Sequence, residues 1–554
     1  MNLRHSLMLG AAVGTALASA ATAQDIVSST TTEPYLLPSM PGVRTVPMLT
    51  VGDTVGGYRM VGDPDGMGAR DAERGAYNLV LDHEIGKSLG IARAHGSTGG
   101  FVSRWRMGRD GRVLSGRDHH TAPSDVFTWI GGSYVKGATA YDRLCSADLA
   151  APGAYFTTSS TGRFGTPNRI FLSGEERSPP NADDDGRVFA HIVSGPDKNQ
   201  SYELPRLGKI AFENALANPY PQTKTIVMLN DDAGRKTNVG AANVCRATDQ
   251  MDCVEPPSEL YMYVGTKMRD DGDWDDDRHD NDRHRKGPTD VERAGLANGN
   301  LFGIRVRDRE GAVVTGENKD YVFASSAPAV TSARFEVVDL GDVSNKTGVQ
   351  IEDASIAQQV TQFIRIEDGS WDPRPGKERD FYFVTTGRIS NGANVWRPSR
   401  LWRLRFDDIR RPELGGGIEM LLSSQFYANA GATPDADPSF QMLDNMTIDS
   451  LGRIILLEDV GGHNRLGRVY AYGVDSQKLE LVAAHNPKFF GGDAATNPNF
   501  ITNDEESSGV IDASEFFGQG WYILTSQAHK ASSDPELVEG GQLLGLYVDT
   551  KIAR

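Results

Sequence analysis

Cysteine is nearly absent from this chain, with three in 554 residues, an odd number. A disulfide-rich scaffold is therefore excluded. Long hydrophobic runs are missing too. The one sustained apolar stretch, residues 7–20, is too short to cross a bilayer. Basic charge is scarce: 57 Lys and Arg stand against 74 Asp and Glu, for a net charge of −17. That balance does not suit a nucleic acid, whose phosphates require a basic face. It does suit calcium, which takes oxygen ligands. There is no Walker phosphate loop and no HExxH, and the eleven histidines show no zinc-ligand spacing. His119-His120 is their only adjacent pair. Amphipathic helices are few; the best short candidate is SIAQQVTQFI at 355–364.

What the chain has in quantity is a loose phrase that returns six times. Each copy holds an acid, a strand-like run, one or two further acids or a His, and a second strand. The plainest copies are EDGSWDP, FYFVTT and RLWRLRFDD (367–408), and DNMTID, GRIILLED and GRVYAYGVD (444–475). The others are DGMGARD, YNLVLDHE and FVSRWRM (65–107); GAYF, RIFLSGEE and GRVFAHIV (153–193); FENALA, TIVMLNDD and ELYMYVG (212–265); and SSGVIDA, GWYILTSQAH and QLLGLYV (507–548). Strand pairs repeated at this period predict an all-β, six-bladed β-propeller with loop insertions. A closed propeller has little need of a partner strand, so a monomer is expected.

Residues 1–23 read as a secretory leader: Arg4 and His5, an apolar run, then Ala21-Thr22-Ala23. A periplasmic or extracellular protein with no membrane span follows. Residues 24–60 read as an extended arm and 61–554 as one propeller, with an insertion at about 269–345. That insertion opens on RDDGDWDDDRHDNDRHRK (269–286), which lacks the closing Glu of an EF-hand loop and reads as a solvated loop. Cys245 and Cys253 sit eight apart in a polar loop and can pair in an oxidising compartment. Cys145, in YDRLCSADLA, is left over. It is either a small buried residue or a thiolate metal ligand.

The acids recur at matching strand ends: Asp82-His83-Glu84, Glu175-Glu176, Asp231-Asp232, Glu367-Asp368, Glu458-Asp459 and Asp504-Glu505-Glu506. Equivalent places in a propeller converge on its axis. Carboxylates focused there repel unless a cation neutralises them. Solvated acids and Asp caps on blade turns are the alternatives.

Several phrases together resemble the PhoX-type alkaline phosphatases and the wider group of secreted PhoX-like proteins. They are PDGMGA (64–69), Asp82-His83-Glu84, RLCSADL (143–149), IFLSGEE (170–176), GKIAFENA around Glu213, FIRIEDGSWDP (363–373) and DNMTID. The resemblance implies hydrolysis of a small-molecule phosphate ester at an axial site holding Ca²⁺ and Fe³⁺. It implies Cys145 as an iron thiolate, Glu175 and Glu367 as carboxylate ligands, and Glu84, Glu213 and Asp232 as further ligands, to calcium. It implies that Arg365 grips phosphoryl oxygens; pairing with a neighbouring acid is the other role open to it. The chain departs from the family pattern in three places. Ile366 stands where Pro is usual, Asp82 where Asn is usual, and Arg4 is followed by His5 rather than a second Arg. A calcium-held propeller that only binds, and a lactonase- or phytase-like hydrolase, are the competing functions.

Overall fold

The computed structural model describes residues 25–177, 186–232, 258–270, 288–308, 310–316, 332–389, 396–424, 439–463 and 465–554. Cys245, Cys253 and residues 271–287 lie outside them.

The chain is all-β and folds as a six-bladed propeller. Each blade is built on an antiparallel meander that starts at its innermost strand, and blade two adds Val126–Ile130, which pairs parallel with Ser201–Glu203. The inner strands are Pro64–Ala72, Leu144–Asp148, Phe212–Ala217, Ile366–Trp371, Leu443–Ile448 and Glu505–Asp512. Each lies beside the next, and the sixth lies beside the first, so the ring is closed.

Strand periodicity makes the core. In the second strand of blade one, Ala76–His83, Tyr77, Leu79 and Leu81 face one way. They pack with Trp105, Phe516, Trp521 and Ile523 against blade six. Val80 faces the other way and packs with Leu144, Phe171 and Phe189 of blade two. Alternate side chains thus serve two blade interfaces, so the strands are apolar on both faces.

Residues 24–60, read as an arm, are woven into the ring. Val43–Thr50 pairs antiparallel with Gly540–Val548 and completes blade six, from Val43↔Val548 to Leu49↔Leu543. Leu36–Pro38 adds an outer strand to blade five. The propeller therefore begins before residue 61. An open edge on the last blade would leave a row of unpaired backbone groups, which this early segment satisfies.

Three other expectations are corrected. The inner strand of blade two is Leu144–Asp148, not GAYF. The segment read as an insertion at 269–345 contains the fourth strand of blade three, Asn300–Arg307. It also contains Ser332–Gly341, which pairs with that strand on one side and with Gly416–Ser423 of blade four on the other. Two blades are fused at their rims by this strand. Finally, the helix spans Gly348–Ala357, earlier than expected, because Thr347 caps it by accepting from the Gln350 amide at 3.2 Å. Gln362–Phe363 is a short strand on Ser258–Thr266.

The closure is testable. Leu49 is fully buried on the closing strand. Leu49→Ala should lower stability by about 2–5 kcal/mol, whereas Leu37→Ala, at an exposed position, should change it by less than about 0.5 kcal/mol. Denaturant titration of both variants checks this, and equal costs would rule the closure out as a major stabiliser.

Candidate metal centre

A shared register builds the site. The inner strand of each blade meets the end of its second strand at one matched pair. These pairs are Pro64↔His83, Leu144↔Glu175, Phe212↔Asp231, Ile366↔Thr385, Leu443↔Glu458 and Glu505↔Ala528. The residue after each inner-strand position forms one ring: Asp65, Cys145, Glu213, Glu367, Asp444 and Glu506. The residue after each second-strand position forms another: Glu84, Glu176, Asp232, Thr386, Asp459 and His529. In the first five blades the register shifts directly after the matched pair. Asp65, Cys145, Glu213, Glu367 and Asp444 each lie within such a bulge, which re-aims a side chain.

The approach to the ring is also shared. Asp63, Arg143, Arg365 and Met442, each two residues before a ring member, have φ of 48°, 53°, 57° and 46°. That left-handed conformation is costly for residues with a Cβ and marks functional turns.

The rings bring potential ligand atoms together in three overlapping sets: Asp65, Glu84 and Cys145; Cys145, Glu176 and Glu213; and Glu213, Glu367 and Asp444. Within each set the atoms lie within 4.8 Å of one another. The Cys145 Sγ is 3.0 Å from Glu213 Oε2 and 3.4 Å from Asp65 Oδ2. The Gln527 amide donates to Asp65 Oδ2 and Glu84 Oε2, both at 3.2 Å.

Nine carboxylates in the two rings face three cationic side chains. Arg143 pairs with Glu84 and Glu176. Arg365 donates to Asp232 from Nε at 2.9 Å and Nη2 at 3.1 Å, and Nη2 lies 3.1 Å from Glu367 Oε1. His529 lies 3.0 Å from Glu539 and 3.5 Å from Glu506.

The electrostatics record that imbalance. Burial, then Glu84 and Glu506, push Asp65 well above the carboxylate range. Burial, then Glu506 and Asp459, do the same to Asp444. Burial with Asp444 and Asp65 raises Glu213, and burial raises Glu367 in spite of Arg365. Glu176 rises to about 8 and Asp459 to about 7, burial being the main cause. Burial and Glu213 hold the Cys145 thiol up. Two ring acids fall, Glu84 and Asp232: burial opposes it, but Arg143 lowers Glu84 and Arg365 lowers Asp232. Burial also opposes a charge on His529, yet Glu506 and Glu539 push it up to about 12.

Of the residues expected from sequence, Cys145, Glu367, Glu84, Glu213, Asp232 and Arg365 all meet here. Glu175 does not. It is fixed to Arg187, with Nε–Oε2 at 2.7 Å and Nη2–Oε1 at 2.6 Å, and accepts from the Asp142 amide. Its neighbour Glu176 holds the ring position. Asp82 is buried behind the site and bonded to Ser173. Sequence reading named Asp459 and Glu506 only among the recurring strand-end acids, and assigned no role to Asp65, Asp444, Arg143 or His529. The run GKSLG at 86–90 has the lettering of a nucleophile elbow, but no helix follows it and Ser88 is exposed.

The donor set fits cations. Glu213 Oε1 and Asp65 Oδ1 are buried without a hydrogen-bond partner, and unpartnered buried oxygens suit a hard ion. Glu213, Glu367 and Asp444 form an all-oxygen set of the kind calcium takes. Cys145 with Glu176 and Glu213 adds a thiolate, which suits a softer transition ion.

No protein-family model matches the chain, and no curated protein matches it in sequence. Solved structures do. Pseudomonas fluorescens PhoX, in complex with the transition-state analogue vanadate, matches with TM-score 0.53 and 13% identity, covering 95% of this chain and 98% of that one. The likeness is one of fold. The periplasmic gluconolactonase PpgL of Pseudomonas aeruginosa matches more loosely, with TM-score 0.30, 9% identity and coverage of 85% and 82%.

A stability profile tests the ring. Ordinary carboxyls titrate near pH 4 in the unfolded chain, whereas Asp459 and Glu176 are raised to about 7 and about 8. The folded state therefore holds protons that the unfolded state has lost. Their stabilising effect is full below about pH 4 and disappears as pH climbs through 7 to 8. In chelator, Tm should fall from pH 5 to pH 8, and added Ca²⁺ should raise it most at pH 8. A flat profile indifferent to Ca²⁺ would contradict the arrangement.

Proposed function

We propose that this protein is a metal-dependent hydrolase of phosphate monoesters, acting at the axial rings with Ca²⁺ and Fe³⁺ as cofactors. One observation carries the reading: a thiol and nine carboxylates share their site with two arginines held at its mouth. Side-chain exposure is 45% for Arg143 and 32% for Arg365, so both side chains are partly open while anchored to buried acids. A purely cation-storing cage has no use for guanidinium groups there; an anionic substrate does.

Calcium would be held by Glu213, Glu367 and Asp444, and iron by Cys145 with Glu176 and Glu213. Bound there, such cations supply Lewis acidity toward a phosphoryl oxygen and offset negative charge as the ester bond breaks. The chain's own contribution is positioning. Asp232 and Glu367 fix the Arg365 plane through Nε and Nη2, and Glu84 and Glu176 fix Arg143 through the same atoms. Nη1 of each is left to donate to the equatorial oxygens of a phosphoryl group. Preorganised donors of this kind act where charge develops and need no rearrangement during reaction. His529 adds a third positive charge. Held protonated, it stabilises anions rather than abstracting protons.

A second reading has one observation in its favour. Arg365 is already doubly paired, as in a structural ion pair, and a calcium-held binding propeller would use it so.

The deciding experiment is elemental analysis of the purified protein beside p-nitrophenyl phosphate turnover with and without EDTA and Ca²⁺. Iron and calcium with EDTA-sensitive turnover are expected. Arg365→Ala should lower kcat/KM about 10²–10³-fold, and Cys145→Ser should abolish iron uptake. Calcium alone with no turnover would sink the phosphatase and leave the binding propeller.

A further inference from the structure

Away from the axis, blades one and two bury a group of histidines that the proposed reaction does not use. His119 and His120 follow the outer strand of blade one, Val113–Asp118. His191 lies on Val188–Ile192, the third strand of blade two. Their exposures are 0%, 3% and 0%. The ring centroids are 5.0 Å apart for His119–His120, 5.5 Å for His119–His191 and 6.0 Å for His120–His191. One nitrogen from each lies within 4.8 Å of the others. A tetrahedral zinc site, with Zn–N near 2.0–2.1 Å, brings its nitrogens to about 3.3 Å.

Two features set this group apart from ordinary core histidines. Nε2 of His191 is buried without a hydrogen-bond partner, and of the two buried nitrogens of His119 the Gln200 backbone can serve only one. A polar group taken from water with nothing in return is costly, and each exception demands a cause. The other nitrogens are held as metal ligands usually are. A single hydroxyl, Ser201 Oγ, lies 2.7 Å from His120 Nε2 and 2.6 Å from His191 Nδ1, and Tyr141 OH lies 3.3 Å from the same His120 nitrogen, so both rings are fixed through one nitrogen each. Burial also keeps all three imidazoles neutral, the form that ligates. Asp118 and Asp125 lie on the His120 side and favour a cation, while Arg104 on the His119 side opposes one. An open cleft lined by Arg117, Asp118, His120 and Thr121 gives a route from solvent.

We propose that His119, His120 and His191 form a second metal site, for a zinc-class divalent transition ion, that ties blade one to blade two. Imidazole donors suit zinc, copper and nickel. With neither carboxylate nor thiolate among its donors, the site is chemically distinct from the axial rings and does not compete for calcium. It rests on none of the axial chemistry.

The test uses the full chain, stripped with chelator, saturated with Ca²⁺ and then loaded with Zn²⁺. X-ray absorption at the zinc edge should show histidine scattering, and Tm should rise with Zn²⁺. Cys145→Ser should keep that signal. His119→Phe, which preserves aromatic packing, should lose one equivalent of zinc and the Tm response. A zinc spectrum with only oxygen and sulfur ligands would overturn the site, as would an unchanged zinc count in folded His119→Phe. Should His119→Phe fail to fold, the wild-type spectrum alone decides.

Discussion

Mutual repulsion of buried carboxylates is the constraint on which the centre of this molecule depends. Asp65, Glu213, Glu367 and Asp444 are all nearly or fully buried and all pushed toward the neutral form. Three cations cannot balance nine acids, and well-packed apolar residues in their place would be the more stable arrangement. Only added positive charge, whether protons or cations, relieves that repulsion. The fold and the site are thus not separable: the blades converge the charge, and whatever neutralises it also holds the blades.

The cost is spread over devices that the six blades repeat. Five inner strands are bulged at the ring residue, and four enter it through a left-handed, non-glycine backbone. Strain of about 1–3 kcal/mol for each such residue survives only where the surroundings over-determine it. Here the surroundings are the packed blade interfaces and the closing strand Val43–Thr50. Energy from the apolar layers between blades is what sustains an unfavourable centre.

Sequence patterning made the architecture legible because strand pairs with terminal acids recur six times, and repetition outweighs the ambiguity of any single strand. Cys145, Glu84, Glu213, Glu367 and Asp232 were named as ligands through the family resemblance rather than through the repeat, and the structure brings them together. Glu175 falls one residue short of the ring position. Two adjacent acids end that strand, and only the pairing Leu144↔Glu175 decides which lies beyond the matched pair. Aligning the strand ends DHE, GEE, NDD, LED and QAH on their last letters points to Glu176 and exposes His529 as an equivalent. The inner-strand acids Asp65 and Asp444 sat inside recognised phrases, but a bulge leaves no mark in composition, so nothing signalled that they turn inward. The closing strand was hidden for a different reason: its partner lies at the opposite end of the chain, and no local pattern reports so distant a pairing.

The same argument applies to the histidines. His119 and His120 carry no ligand spacing with His191, since one pair ends a strand of the first blade and the other residue lies mid-strand in the second. Only blade packing unites them. In a closed ring every interface between neighbours is a seam between distant segments, and a polar group buried in a seam is satisfied by the partner blade or by a ligand. At the axis the unmet demand is for positive charge, and oxygen and thiol donors face it. In the seam between blades one and two it is for a partner to neutral nitrogen. The two unmet demands differ in chemistry, hard oxygen with a thiol at the axis and imidazole nitrogen in the seam, and so call for different partners.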